Sequence, residues 1–138
     1  MSQYWKSADE VYEAVTGMLG KAAEDPVIVK KTEGLKYMVL YEYTDPDLRI
    51  WIDSRGEETT FGRGDPPEEP NIVMSLSADD AHKAWSNKLN VMVAIARRKL
   101  RIRGEATKLL KMTPLLKRWA VCYNNQLREM GLEGIILE

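Results

Sequence analysis

The chain has 138 residues, 44% hydrophobic and 30% charged, with a formal net charge of −1 and a sequence pI near 5.9. This is the composition of one soluble globular domain spanning 1–138, large enough to bury a full core. It excludes the basic balance of a typical nucleic-acid-binding domain, and the single cysteine, Cys122, excludes an internal disulfide. No signal-like apolar segment follows Met1, no run is long enough to span a bilayer, and Ile136-Leu137-Glu138 is not a peroxisomal address, so the expected location is cytoplasmic.

Charge is unevenly divided. Residues 1–80 hold 8 Lys and Arg against 17 Asp and Glu, whereas residues 81–138 hold 12 against 4. Either the halves pack together and the charges intermix, or a basic face around Arg97, Arg98, Lys99, Arg101, Arg103, Lys108 and Lys111 meets anionic headgroups.

Taken in order, Ser7 with Glu10 forms a capping box, and Ala8, Val11, Tyr12, Val15, Met18, Leu19 and Ala22 make one helical stripe. Glu24-Asp25-Pro26 ends that helix, and Val27-Ile28-Val29 reads as an apolar linker or an edge strand. Leu35 to Tyr43 alternates as a strand, Thr44 to Asp47 turns, and Leu48, Ile50 and Ile52 alternate as its antiparallel partner. A short third strand over Glu57–Gly62 and a proline-rich loop over Gly64–Pro70 follow. Asn71–Ser77 is a fourth strand, with Ser77 capping the next helix and Asp80 at its third position. After Asn90 comes the apolar run Val91–Ala96, then Lys99–Arg103 in strict alternation, closed by Gly104. A helix is expected over Glu105–Met112. Thr113-Pro114 is expected to restart a helix carrying Leu116, Trp119, Ala120, Tyr123, Leu127 and Met130, with Gly131 as its stop. Leu132 and Ile135-Ile136-Leu137 form an apolar tail that must pack on this fold or on a partner.

The centre of the chain carries a recognisable order of elements: Pro70-Asn71-Ile72, Asp79-Asp80, Lys88-Leu89-Asn90, Ala94-Ile95 and Lys99-Leu100-Arg101-Ile102-Arg103-Gly104. This resembles the sterol carrier protein 2 family of non-specific lipid-transfer domains. The sequence departs from the family at Asn87 and Arg98, where glycine is usual, and at Val91, where proline is usual. The resemblance and the alternations together predict an α+β fold with a five-stranded, largely antiparallel sheet covered on one face by helices.

The resemblance further implies a hydrophobic tunnel between sheet and helices. Its floor would be Val39, Tyr41, Ile50, Ile52, Met74, Leu76 and Ile102. Its walls would be Trp85, Met92, Ile95, Ala96, Leu109, Met112, Leu115, Leu116 and Trp119. Four Trp and seven Met beside one Phe suit a cavity that accepts varied shapes. The implied ligand is a fatty acyl chain, an acyl-CoA or a sterol-like molecule, with transient contact to an anionic membrane, no nucleic acid, no metal and no cofactor; a homodimer stays open.

An enzyme is not expected, because His82 is the lone histidine and reads as solvated beside Lys83, while Cys122 has no imidazole partner. The alternative to a carrier is an interaction or regulatory module of the same fold with a filled core.

Overall fold

Side-chain caps and periodicity explain most element boundaries in the computed structural model, which describes residues 2–138 apart from the side chains of Leu109 and Leu110. The Ser7 hydroxyl accepts from Glu10 N–H at the start of α1 (Ala8–Ala22), whose Val11, Ala14, Val15, Met18 and Ala22 are buried. The segment expected as a linker or edge strand is instead helix α2 (Pro26–Thr32). Asp25 accepts from Val27 and Ile28 N–H, and Pro26 occupies the first turn, which needs no donor there.

Strands β1 (Met38–Thr44), β2 (Leu48–Asp53), β3 (Thr60–Arg63), β4 (Ile72–Ser77) and β5 (Arg101–Gly104) form one sheet in the order β3-β2-β1-β4-β5. Pairings β1–β2, β2–β3 and β4–β5 are antiparallel, but β1 and β4 run parallel, so the sheet is mixed. Side-chain alternation is the same in either direction, so sequence period did not distinguish them. The parallel pair requires the 64–71 loop to carry the chain from the β3 edge to the far side of β1. Pro66 and Pro70 share a hollow with Leu40 on the sheet face away from the helices, where Met38 and Leu40 are buried.

The opposite face is apolar in register. Val39, Tyr41 and Tyr43 on β1 align with Ile52, Ile50 and Leu48 on β2 and with Ile72, Met74 and Leu76 on β4; Ile102 on β5 aligns with Met74. The chain continues through α3 (Ala78–Trp85), α4 (Val91–Ala96) and α5 (Ala106–Leu110). A 3-10 turn (Thr113–Leu115), α6 (Leu116–Glu129) and a second 3-10 turn (Glu133–Ile135) complete it. Thr113 and Pro114 thus form a tight turn without a side-chain cap rather than opening the helix. The main core lies where α1, α3 and α6 meet Tyr43, Leu48, Ile50 and Leu76, with Met18, Tyr123 and Leu127 fully buried. Leu132, Ile135 and Ile136 pack against this core, so the apolar tail folds onto its own domain.

The two positions where glycine would be usual share one backbone conformation. Asn87 has φ 59° and Arg98 φ 58°, both left-handed. Asparagine tolerates this conformation, whereas arginine holds it with strain.

Candidate functional site

The apolar sheet face divides into two parts. One is sealed beneath α1, α3 and α6. The other gathers Tyr37, Val39 and Ile72 in a separate cluster, with Leu35, Tyr41, Met74 and Ile102 packed against it and only partly buried. Tyr41, Met74 and Ile102 also touch the main core, so they form the boundary between the closed half and the half beyond it.

Aromatic rings line that boundary. Trp85 lies 5.6 Å from Tyr41 and 6.2 Å from Trp119 between ring centroids, and its indole N–H donates to the Tyr43 hydroxyl at 3.1 Å. Tyr41 and Tyr43 are 6.0 Å apart. Burial, and then the neighbouring Tyr43 and Tyr37, push the Tyr41 hydroxyl well above its ordinary pKa; burial does the same to Tyr43 against the Trp85 hydrogen bond. Both are neutral, so the wall is uncharged. Among the described residues neither the Tyr41 nor the Tyr37 hydroxyl makes a hydrogen bond, which leaves two polar atoms on an otherwise apolar surface.

The expected floor residues Val39, Ile50, Ile52, Met74, Leu76 and Ile102 therefore share one face, although Ile50, Ile52 and Leu76 belong to the sealed half. Trp85 and Trp119 are partly buried against them. Leu115 is buried, and Met112 and Leu116 are partly buried at the turn into α6. The Leu109 side chain lies outside the described residues. Met92, Ile95 and Ala96 are displaced from expectation: all three are exposed on α4, Met92 by 74%. Helical spacing identified an apolar helix there but could not say which way it faced.

His82 is not a surface residue. Ala78, Ala81, His82 and Trp85 form the inward stripe of α3, and the imidazole is 1% exposed. Nε2 lies 2.7 Å from the Ile135 carbonyl, which can only accept, so Nε2 carries the proton and Nδ1 accepts from the Tyr123 hydroxyl at 2.7 Å. The rings of Tyr4 and Trp5 pack on it, and Asp79 holds that N-terminal segment through Ser2 and Gln3. This is a structural clasp joining both chain ends. Burial pushes the Cys122 thiol up, the opposite of nucleophile activation. Among the described residues no group of three His, Cys, Asp or Glu could hold a metal, and no helix is long and apolar enough to cross a membrane.

Two surface hollows lie away from this face. One of about 460 Å³ sits between Lys21, Asp25, Arg118 and Cys122 outside α1 and α6. The other, about 330 Å³, is the proline-loop hollow on the far side of the sheet.

Comparison with known proteins adds four likenesses. Residues 18–117 match the SCP-2 sterol transfer family. Hydroxysteroid dehydrogenase-like protein 2 of Danio rerio is 29% identical over 113 residues, covering 78% of this chain and 25% of that protein, so the chain spans about a quarter of the relative's length. The sterol carrier protein domain 2 of Helicoverpa armigera superposes with a TM-score of 0.62 at 18% identity, covering 80% of this chain and 86% of that one. The Aedes aegypti sterol carrier protein-2, solved in complex with the C16 fatty acid palmitate, gives 0.58 at 12% identity over 84% and 96%. The two structures share the fold, and the family match spans most of the sequence, including the Pro70–Gly104 region and both left-handed turns: this chain belongs to the SCP-2 sterol transfer family.

Proposed function

We propose that this chain is a lipid carrier that binds a single apolar ligand, a fatty acyl chain or a sterol-like molecule, against the open half of its sheet. The observation that carries this reading is the split of one apolar face into a sealed core and a second, incompletely buried patch around Val39, Tyr41, Ile72, Met74 and Ile102. An acyl chain laid there gains about 0.8 kcal/mol per buried methylene, on the order of 12 kcal/mol gross for ~15 of them. Association costs of roughly 4 kcal/mol or more still leave useful affinity. Trp85, Trp119, Met112 and Leu116 supply the opposing wall. Ligand binding in the relative from Aedes aegypti supports the choice of a fatty acid as first probe. No covalent step is required, and the protein acts by holding and releasing its ligand. The tail, packed on its own core, removes one motive for reading the domain as an interaction module instead.

Organic extraction of the purified protein with mass spectrometry, and displacement of a fluorescent fatty acid, test the proposal together. Copurifying lipid and saturable displacement are expected. Tyr41→Phe removes one of the two unpaired hydroxyls of the patch, the other being that of Tyr37, and should weaken a free fatty acid about tenfold, as loss of a hydrogen bond to a charged group does, while leaving its methyl ester nearly unchanged. A chain that neither copurifies with lipid nor displaces the probe is not a carrier.

A further inference from the structure

The short helix α4 is apolar on every side yet buries only Ala94. Val91, Met92, Val93 and Ile95 face water. A contiguous apolar surface of this kind gains nothing for the fold and marks a contact with something else.

Cations follow it immediately. Arg97, Arg98 and Lys99 form the turn out of α4, and Arg101 and Arg103 lie on the sheet-edge strand β5; all five are exposed. Elsewhere some basic residues of the second half find acidic partners: Arg118 pairs with Asp25 and Lys108 with Glu105. At this corner they do not. Among the described residues Arg97, Arg98, Lys99 and Arg101 make no ion pair, and Arg103 only approaches Glu42 at 3.7 Å.

Arg98 supplies a third, independent sign. It follows the C-cap Arg97 of α4 in the left-handed region, where glycine would sit without strain and arginine does not. The turn itself is fixed by Lys99 N–H and Leu100 N–H donating to the Ala94 carbonyl, so the fold does not need that side chain. A charge kept at a conformational cost, beside an exposed apolar helix, is a charge with a use.

We propose that α4 and the turn Arg97–Lys99 dock this chain on an anionic bilayer, the four apolar side chains entering the headgroup boundary while the cations meet lipid phosphates. The patch is an exposed apolar helix with no polar pattern to select a protein partner. Two copies placed face to face would oppose their own cations. A lipid surface satisfies both the apolar and the positive parts. The proposal rests on the carrier reading for its purpose: β5 leads from the docking turn into the ligand face, where Ile102 lies beside Met74.

Cosedimentation with phosphatidylcholine vesicles, with and without an equal share of phosphatidylglycerol, tests it, with fatty-acid displacement measured separately in vesicle-free solution. The protein should partition onto anionic vesicles and much less onto neutral ones. Arg98→Gly should lower partition about fivefold, the value of one cation near such a surface, while raising the thermal midpoint. Met92→Ser should lower partition about tenfold with the midpoint unchanged. Equal binding to both vesicle types, or wild-type partition by both variants, overturns the proposal. A dimer seen by light scattering and dissolved by Met92→Ser would assign the patch to a second copy and overturn it as well. Intact displacement without vesicle binding sinks docking alone, whereas vesicle binding without displacement sinks the carrier reading and leaves docking standing.

Discussion

His82 shows how a single side chain can tie distant parts of the chain together. Its neutral ring is satisfied on both nitrogens, by Tyr123 and Ile135, and is enclosed by Tyr4 and Trp5. Burial lowers its pKa from 6.5; the Ile135 carbonyl and Asp79 pull it part of the way back, and Lys83 opposes them. The unfolded state therefore binds the proton more tightly than the folded one. Stability contributed here is complete above the unfolded value near 6.5 and declines as pH falls below it, until the lower folded pKa is passed. The neighbouring Asp79 titrates in a separate window. Burial would raise its carboxyl, but hydrogen bonds from Gln3, Ser2 and Tyr4 bring it below 3.8, so its contribution is lost only in stronger acid. We expect denaturation midpoints to fall between about pH 7 and pH 5 in the native protein. In His82→Phe this slope should flatten, and stability at neutral pH should drop by about 2 kcal/mol, because the Tyr123 hydroxyl and the Ile135 carbonyl lose their partner. Urea titrations across that range check both; an unchanged slope would mean that His82 does not titrate on unfolding. The sequence hid this role because a lone histidine next to a lysine has the local look of a solvated residue. Only the stripe Ala78, Ala81, His82, Trp85 pointed inward, and four positions in an eight-residue helix are a thin signal.

At the scale of elements, the β4–β5 pairing decides whether the open half of the sheet exists at all. Gly104 ends β5 opposite Ile72, with φ 99°. A Cβ there would run into the Asn71 carbonyl oxygen, a backbone atom that cannot swing aside. Gly104→Ala should therefore cost about 2–3 kcal/mol through backbone strain and overpacking, and it should loosen the edge that carries Ile102. Its signature is a lower thermal midpoint together with weaker fatty-acid displacement; a variant as stable as wild type would show that the strand shifts freely. This position was legible, because Gly104 closes a strict alternation and the motif Lys99–Gly104 fixes its spacing. So were the caps at Ser7 and Ser77, which accept from Glu10 and Asp80 N–H as their spacing indicated. Direction was not legible: period two locates a strand but is blind to whether it runs parallel, and a six-residue apolar helix such as α4 carries no polar side to show which face meets water.

Across the whole molecule, the proposed carrier function assigns stability and ligand exchange to different regions. Helices α1 and α6, the N-terminal segment and the C-terminal tail enclose the sealed core, where Met18, Ile50, Tyr123 and Leu127 have no exposure. The other region is built from short pieces: α4 has six residues, β5 four and α5 five, and β5 bonds to one neighbour only. Helices of that length are not stable by themselves and depend on what they pack against. Residues 91–112 are therefore expected to form the low-stability unit, opening at a small fraction of the global free energy. On the carrier reading such an arrangement would let a ligand enter without disturbing the core, and it places the proposed docking helix and one floor residue, Ile102, in the same run of short elements. Hydrogen exchange should therefore show slow amides in α1, α6, β1 and β2, and fast ones in α4, β5 and α5. A long-chain fatty acid should slow the second group and leave the first unchanged. Uniform protection throughout, or slowing confined to α1 and α6, would place the ligand in the sealed half and remove the basis for coupling entry to the proposed docking end.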